Sequence, residues 1–263
     1  MKTIIKSTIL ILLLFLGIAG CDKGFIEEEI PSSYPTTFYR LPEETLTQMR
    51  SDFAKRNPSV ISTLNHFGFC DISELGYADV PAGSFSKEEA IAAVKEFVKR
   101  NPEYTGVKNP DDLHFRMVER SIGYNNIEMW TFRTEYQVIE KMEVNYTEIL
   151  FHTRNRTICD CYGNFFPNVY VPKKFIFNNE KAKSQLLGKK ITYYTWSGES
   201  SVIIKEKDLK GECPTSLIIV PLITDEKIEL RVAWQIHLEE LHFIIAVDVM
   251  TGEIVQKNLT IIF

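Results

Sequence analysis

Four cysteines, Cys70, Cys159, Cys161 and Cys213, and a histidine–acid cluster, His237, Glu239, Glu240 and His242, are the groups whose types and spacing could do chemistry. Thiols pair as disulfides or ligate soft metals. Cys159 and Cys161 stand two apart in a strand-like run, so both side chains are expected on one face, reaching for other segments sooner than for each other. Disulfides and buried thiols both stay open, and connectivity is not legible. His152 lies near them, but no second paired motif completes four ligands, so no metal is expected. His237 and His242 flank two glutamates at an expected hairpin tip, an arrangement that could bind a metal ion or a partner, but that a solvated turn explains better. Ser197-Gly198-Glu199-Ser200-Ser201 lacks the spacing of a nucleophile elbow. The chain also lacks a His-Glu-x-x-His motif and a glycine-rich phosphate fingerprint. No catalytic residue and no cofactor are expected, and the chain reads as a non-enzyme.

One further thiol stands near the start. Lys2 and Lys6 precede an unbroken apolar run over 9–16, and Gly17-Ile18-Ala19-Gly20 leads into Cys21. These are the parts of a cleavable secretory signal in their order. The apolar stretch ends at Gly20, far short of the roughly 20 residues a spanning helix needs. Leu16 to Cys21 resembles the lipobox of bacterial lipoproteins. That resemblance implies cleavage after residue 20 and an acylated Cys21, with each buried methylene contributing about 0.8 kcal/mol of membrane affinity. The acidic run Glu27-Glu28-Glu29 is similar to the signal that sends some Bacteroidetes lipoproteins to the cell surface, and a solvated tether accounts for it equally well. The expected location is the cell envelope, lipid-anchored at the outer membrane, on its periplasmic face or at the cell surface.

Losing Lys2 and Lys6 with residues 1–20 moves the formal charge from −5 to −7, which disfavours nucleic acid as a partner. A chain that is 44% hydrophobic can bury a substantial core. Residues 21–40 are polar and rich in turn formers, and read as a flexible tether.

The elements that position these groups follow from periodicity. Pro42 opens a short helix carrying Leu46, Met49 and Phe53 that should stop before Pro58, and 41–84 reads as this helix plus a loop. Ser86 and Glu89 form a capping box before Ala90, Val94, Phe97 and Val98, which predicts a helix over 86–100. Strands are expected over 114–120, 128–140, 146–160 and 165–171. Asn178 then caps a second helix ending at Gly188, followed by strands near 190–196, 200–206, 216–223, 227–239, 241–249 and 253–262. Asp160 and Asp248 fall in matching places before hairpin turns, where a carboxylate can hold the turn's N–H groups. Aromatic runs at 193–196 and 164–170 could line a groove, or fill the core.

Residues 230–236 and 243–255, ending Val247-Asp248-Val249-Met250-Thr251-Gly252-Glu253-Ile254, resemble the end of a PepSY domain, and 86–172 resembles it more faintly. The resemblance implies an α+β fold of two tandem cystatin/PepSY-like units, 85–172 and 173–263, each a helix packed on an antiparallel sheet. It also implies a binding module for an envelope protein or peptide, with inhibition of a peptidase as one role. A surface glycan-binding or glycan-processing lipoprotein, using the aromatic runs, is the alternative.

Overall fold

The computed structural model describes residues 30–72, 83–122, 127–195, 198–210 and 213–259. Residues 1–20, Cys21, the first part of the tether, the turn at 123–126 and Trp196 lie outside them. The chain divides between Ile30 and Pro31, and the unit from Pro31 onward is the one described below.

Ser86 starts the best-defined helix, as its spacing predicts. The Glu89 N–H donates to Ser86 Oγ at 3.2 Å while the Ser86 N–H donates to Glu89 Oε2 at 2.8 Å, so two of the helix's orphan donors are satisfied reciprocally. This helix, Lys87–Arg100, and an earlier one, α1 (Glu43–Arg56), bury Val94, Phe97, Phe53 and Leu46 in a shared core. We call the Lys87–Arg100 helix α2. Their C-termini are fastened together. Asn57 and Asn101 exchange amide hydrogen bonds of 3.0 Å in both directions, and each amide also donates to its own helix, at Phe53 O and Phe97 O. Two buried asparagines thereby satisfy carbonyls that the helix ends leave free. A short helix α3 (Pro102–Thr105) follows.

The α2 helix covers an antiparallel sheet of β4 (Phe115–Ile122), β5 (Glu128–Thr134), β8 (Leu150–Arg154) and β9 (Thr157–Tyr162), hydrogen-bonded in that order. A second sheet runs β15 (Ile254–Leu259), β14 (Phe243–Asp248), β13 (Lys227–Leu238), β12 (Thr215–Ile223), β7 (Met142–Val144), β6 (Val138–Ile139). The helix α4 (Asn179–Leu186), N-capped by Asn178, buries Ala182 and Leu186 together with Ile236, Leu238, Ile245 and Val247 of this sheet. The hairpin β10 (Lys190–Thr195) and β11 (Gly198–Ile203) pairs apart from both sheets, and α5 (Glu206–Lys210) precedes β12. The architecture is α+β.

Three expectations change. The segment β1 (Thr36–Tyr39) is a strand on β13, with Tyr34 only 5% exposed; the flexible tether expected through residue 40 therefore ends sooner, because Tyr34 and Phe38 have core to fill. The expected strand 128–140 is broken, since β6 and β7 leave the first sheet and β7 pairs in parallel with β12. The 85–172 segment thus lends a hairpin to the sheet of the 173–263 segment across their expected boundary. Residues 165–171 form a loop rather than a strand, with Asn168 left-handed at φ 57° and Pro167 unable to donate.

The long strand β13 has one edge filled by β12 and the other shared end to end by β1, on Lys227–Leu230, and β14, on Ala233–Leu238. Asp248, fully buried, closes the seam between them. Its Oδ2 accepts from Tyr34 Oη at 2.8 Å and Arg231 Nη1 at 3.3 Å, and its Oδ1 accepts from the Met250 and Thr251 N–H groups at 2.7 and 2.9 Å. The Val232 N–H, left without a strand partner at the seam, donates to Tyr34 Oη at 3.1 Å. Burial, then the Asp248 charge, push the Tyr34 phenol far up, so it stays a donor. Asp248→Ala should lower unfolding free energy by about 2–4 kcal/mol by leaving the Met250 and Thr251 N–H groups and the Tyr34 hydroxyl without their acceptor, while Arg231 keeps its pairing with Glu229. Tyr34→Phe should cost about 1–2 kcal/mol. Urea titration followed by circular dichroism measures both, and a wild-type midpoint for Asp248→Ala would contradict the assignment.

Candidate functional site

Where the chain leaves the first sheet for the second, it borders a cavity of about 470 Å³. β5 ends at Thr134, whose Oγ1 accepts the Ile149 N–H at 2.9 Å, and the chain then crosses through Glu135, Tyr136 and Gln137. The Gln137 side chain acts as a length of strand. Its Nε2 donates to Phe166 O and its Oε1 accepts the Phe166 N–H, both at 2.8 Å, which holds the 165–169 loop as one wall. Behind that loop the Phe165 N–H donates to Thr105 O at 2.8 Å. Gly106, at φ 70°, sits so close that a Cβ there would lie 1.7 Å from Phe165 O. Only glycine fits this position.

The walls are half-buried Tyr136, Ile139, Phe165 and Val169, and the rim carries Lys108, Asp112, His114 and Glu135. Lys108 Nζ donates to Asn168 Oδ1 at 2.6 Å across the rim, and the Arg116 guanidinium lies 5.2 Å from the Tyr136 ring centre. The lining holds no serine, threonine or cysteine; its polar side chains are Lys108, Asp112, His114, Glu135, Tyr136, Gln137 and Asn168.

The remaining edge is backbone. β6 ends the strand order of its sheet. The Val144 N–H donates to Gln137 O at 2.8 Å, and Val138 faces Glu143 in the next pair. Antiparallel pairs alternate between hydrogen-bonded and not, so the Val138 N–H and C=O point away from β7, out of the open edge. The Val138 side chain is 61% exposed.

A second cluster has the residue types of a hydrolase triad in a different arrangement. Ser62 Oγ donates to Asp160 Oδ1 at 2.5 Å and accepts the Cys161 N–H at 2.6 Å, while His152 Nδ1 lies 3.2 Å from Asp160 Oδ2. The carboxylate stands between hydroxyl and imidazole, so the serine donates to Asp160 and does not meet the imidazole as it would in a triad. It is a clamp holding residue 62 to β9. Asp160 does not hold the following turn as Asp248 does.

Of the four cysteines, only Cys70 and Cys161 come together. A register shift between His152 and Thr153 leaves Cys159 without a partner, so Cys159 and Cys161 do not share the one face that plain alternation implies. The Cys159 thiol donates to His152 O at 3.3 Å, and burial pushes it up to about 11. The Cys213 thiol donates to Asp208 O at 3.4 Å. Cys161 and Cys70 are buried in the same core cluster, and burial, with the neighbouring Cys70, pushes the Cys161 thiol up. All four are thiols here. His237 Nε2 lies 3.3 Å from Gln235 Oε1, Glu239 and Glu240 are exposed in the turn, and His242 is left-handed at φ 55°. Among the described residues, no group of three or more His, Cys, Asp or Glu side chains is placed to hold a metal ion.

Of the aromatic runs, Phe165, Pro167 and Val169 do line the cavity. Phe166 turns into the core against Phe38 and Phe69, and Tyr193 packs on Phe243 at 5.2 Å. Gly106, Lys108, Tyr136 and Gln137 carry no sequence motif that would have marked them.

No family model matches the chain, and no curated protein matches it. Among solved structures it is similar to the Bacillus megaterium YpeB C-terminal domain, at 10% identity and a TM-score of 0.31, covering 85% of this chain and 99% of that one.

Gly106→Ala should destabilise the protein by about 2–4 kcal/mol and loosen the 165–169 wall, read as a lower melting temperature and faster amide exchange at Phe165 and Phe166. A pH effect follows from Asp160. Burial opposes its ionisation, but the hydrogen bonds with His152 and Ser62 outweigh this and hold it below the ordinary carboxylate value. Its stabilisation is therefore complete above about pH 4, the unfolded value, and is lost as pH falls through the lower folded value. Asp160→Asn should flatten the acid limb of stability against pH, and an unchanged limb in a urea-midpoint series would refute this.

Proposed function

We propose that this chain is an envelope lipoprotein, tethered through a lipid on Cys21, that binds an extended peptide segment of a protein partner along β6. The observation that carries this is the Val138 N–H and C=O facing out of an open sheet edge beside the cavity. An added strand would hydrogen-bond there, drop alternate side chains against Tyr136, Ile139 and Val169, and meet the Lys108, Asp112 and Glu135 charges at the rim. A peptidase held in this way would be restrained without any chemistry on this side.

The finer reading of the fold, two tandem PepSY/cystatin-like units, belongs with this proposal. It is supported by two helix-then-meander segments, α2 with β4-β5-β8-β9 and α4 with β12-β13-β14-β15. The lent β6–β7 hairpin is the departure from simple tandem units. A peptide is favoured over a glycan because, of the rings in the aromatic runs, Phe166 and Tyr193 pack edge-to-face on neighbouring rings, while the open backbone edge at Val138 suits a peptide.

Panning the full chain in mild detergent against a random peptide library, beside a polysaccharide panel, tests the function. Selected peptides should bind roughly tenfold or more weakly to Val138→Pro, which removes the outward N–H, and to Tyr136→Ala, with circular dichroism unchanged. Failure to select any peptide, or peptides indifferent to both variants, sinks the reading; binding confined to polysaccharide favours the glycan alternative.

A further inference from the structure

Cys70 and Cys161 reach each other from different parts of the chain. Cys70 sits in β3 (Cys70–Asp71), paired through Leu64 with β2 (Thr63–Leu64). This hairpin lies against the end of β9, where the Gly163 N–H donates to Cys70 O at 3.1 Å. Cys161, two residues before Gly163, points into the same core as Cys70, at 0% and 2% exposure. Both thiols belong to one buried cluster, near enough for Cys70 to raise the Cys161 thiol. Cys159 and Cys213 each donate to a backbone carbonyl instead, and no cysteine partner is found for them among the described residues.

We infer that Cys70 and Cys161 form a disulfide bond when the protein folds under oxidising conditions, with Cys159 and Cys213 remaining thiols. The inference is independent of the peptide-binding reading. The oxidant is an external disulfide such as glutathione disulfide. One cysteine, as thiolate, attacks it, forming a mixed disulfide and expelling one glutathione thiolate. The second thiolate then attacks the protein sulfur of that mixed bond, making Cys70–Cys161 and expelling the other. Two electrons pass to the oxidant, and the two protons lost by the cysteines end on the two glutathione thiols.

Burial pushes the Cys161 thiol well above the ordinary range, and the neighbouring Cys70 adds to this, so exchange in the closed fold is slow. The bond therefore forms while the β2–β3 hairpin is still off β9. Once closed, the same burial shields it from reductant. It closes a long loop, which is where cross-links constrain the unfolded chain most.

The test is to refold the full chain in detergent with oxidised and reduced glutathione, then denature it with N-ethylmaleimide and no reductant. Peptide mapping should find Cys159 and Cys213 alkylated, and Cys70 and Cys161 unalkylated in one linked pair that separates on reduction. The Cys159→Ser/Cys213→Ser variant should give the same linked pair, and reducing the bond in either protein should lower the melting temperature by on the order of 10 °C. Alkylation of all four cysteines, or a link through Cys159 or Cys213, overturns the inference.

Discussion

The second sheet depends on one buried carboxylate. A strand as long as β13 offers more edge than β14 covers, and the exposed remainder would be an open template. β1 covers it, but two strands abutting on one edge leave backbone groups unpaired where they meet. Asp248 and Tyr34 take these up, the first by gathering the β14–β15 turn and Arg231, the second by accepting the Val232 N–H. A carboxylate suits this place because it accepts four bonds in one small volume, and Arg231 supplies the opposing charge that makes its burial tolerable. The seam also ties residue 34 to the last hairpin, so the N-terminal end of the described unit is part of its core.

The lent hairpin has a comparable effect across the two sheets. β6 and β7 are inserted in sequence between β5 and β8, but in space β7 lies on β12. The crossing chain at 135–137 keeps only single backbone bonds to each side, Glu135 N–H to His114 O and Val144 N–H to Gln137 O, and it is there that Gln137 substitutes a side-chain amide for a strand neighbour. A cavity at this point is a geometric consequence. Two sheets that share a connection but not a plane leave a gap at the crossing, and the 165–169 loop covers only part of it.

Much of this was legible in sequence. The Ser86 capping box, the Asn178 cap and the proline stops located the helices because those signals are local and stereochemical. The strands over 190–259 were legible because β13 alternates polar and apolar residues, β14 is a short apolar run, and the turn after it carries Gly252. The hairpins β6–β7 and β8–β9 were not. Their turns are Glu140-Lys141 and Asn155-Arg156, all four residues at positive φ, where glycine would have announced the turn. Without that signal, 128–140 and 146–160 read as single strands. The Cys159 bulge escaped for a related reason, since one extra residue changes a face without changing composition. β1 was hidden because its partner lies nearly two hundred residues away.

The length of β6 limits what its edge can do. With two residues it presents a single outward N–H and C=O pair at Val138, against the several that a long edge strand offers. Main-chain pairing worth about 0.5–1.5 kcal/mol per bond is then too weak to hold a peptide by itself, which also protects the edge from indiscriminate strand addition. On the proposed reading, binding energy must come from side chains entering the apolar walls, and orientation from the charged rim. A short edge beside a shaped cavity therefore favours selectivity over affinity. If Cys21 carries a lipid, the shortfall in affinity is made good by the high local concentration that tethering to one surface provides.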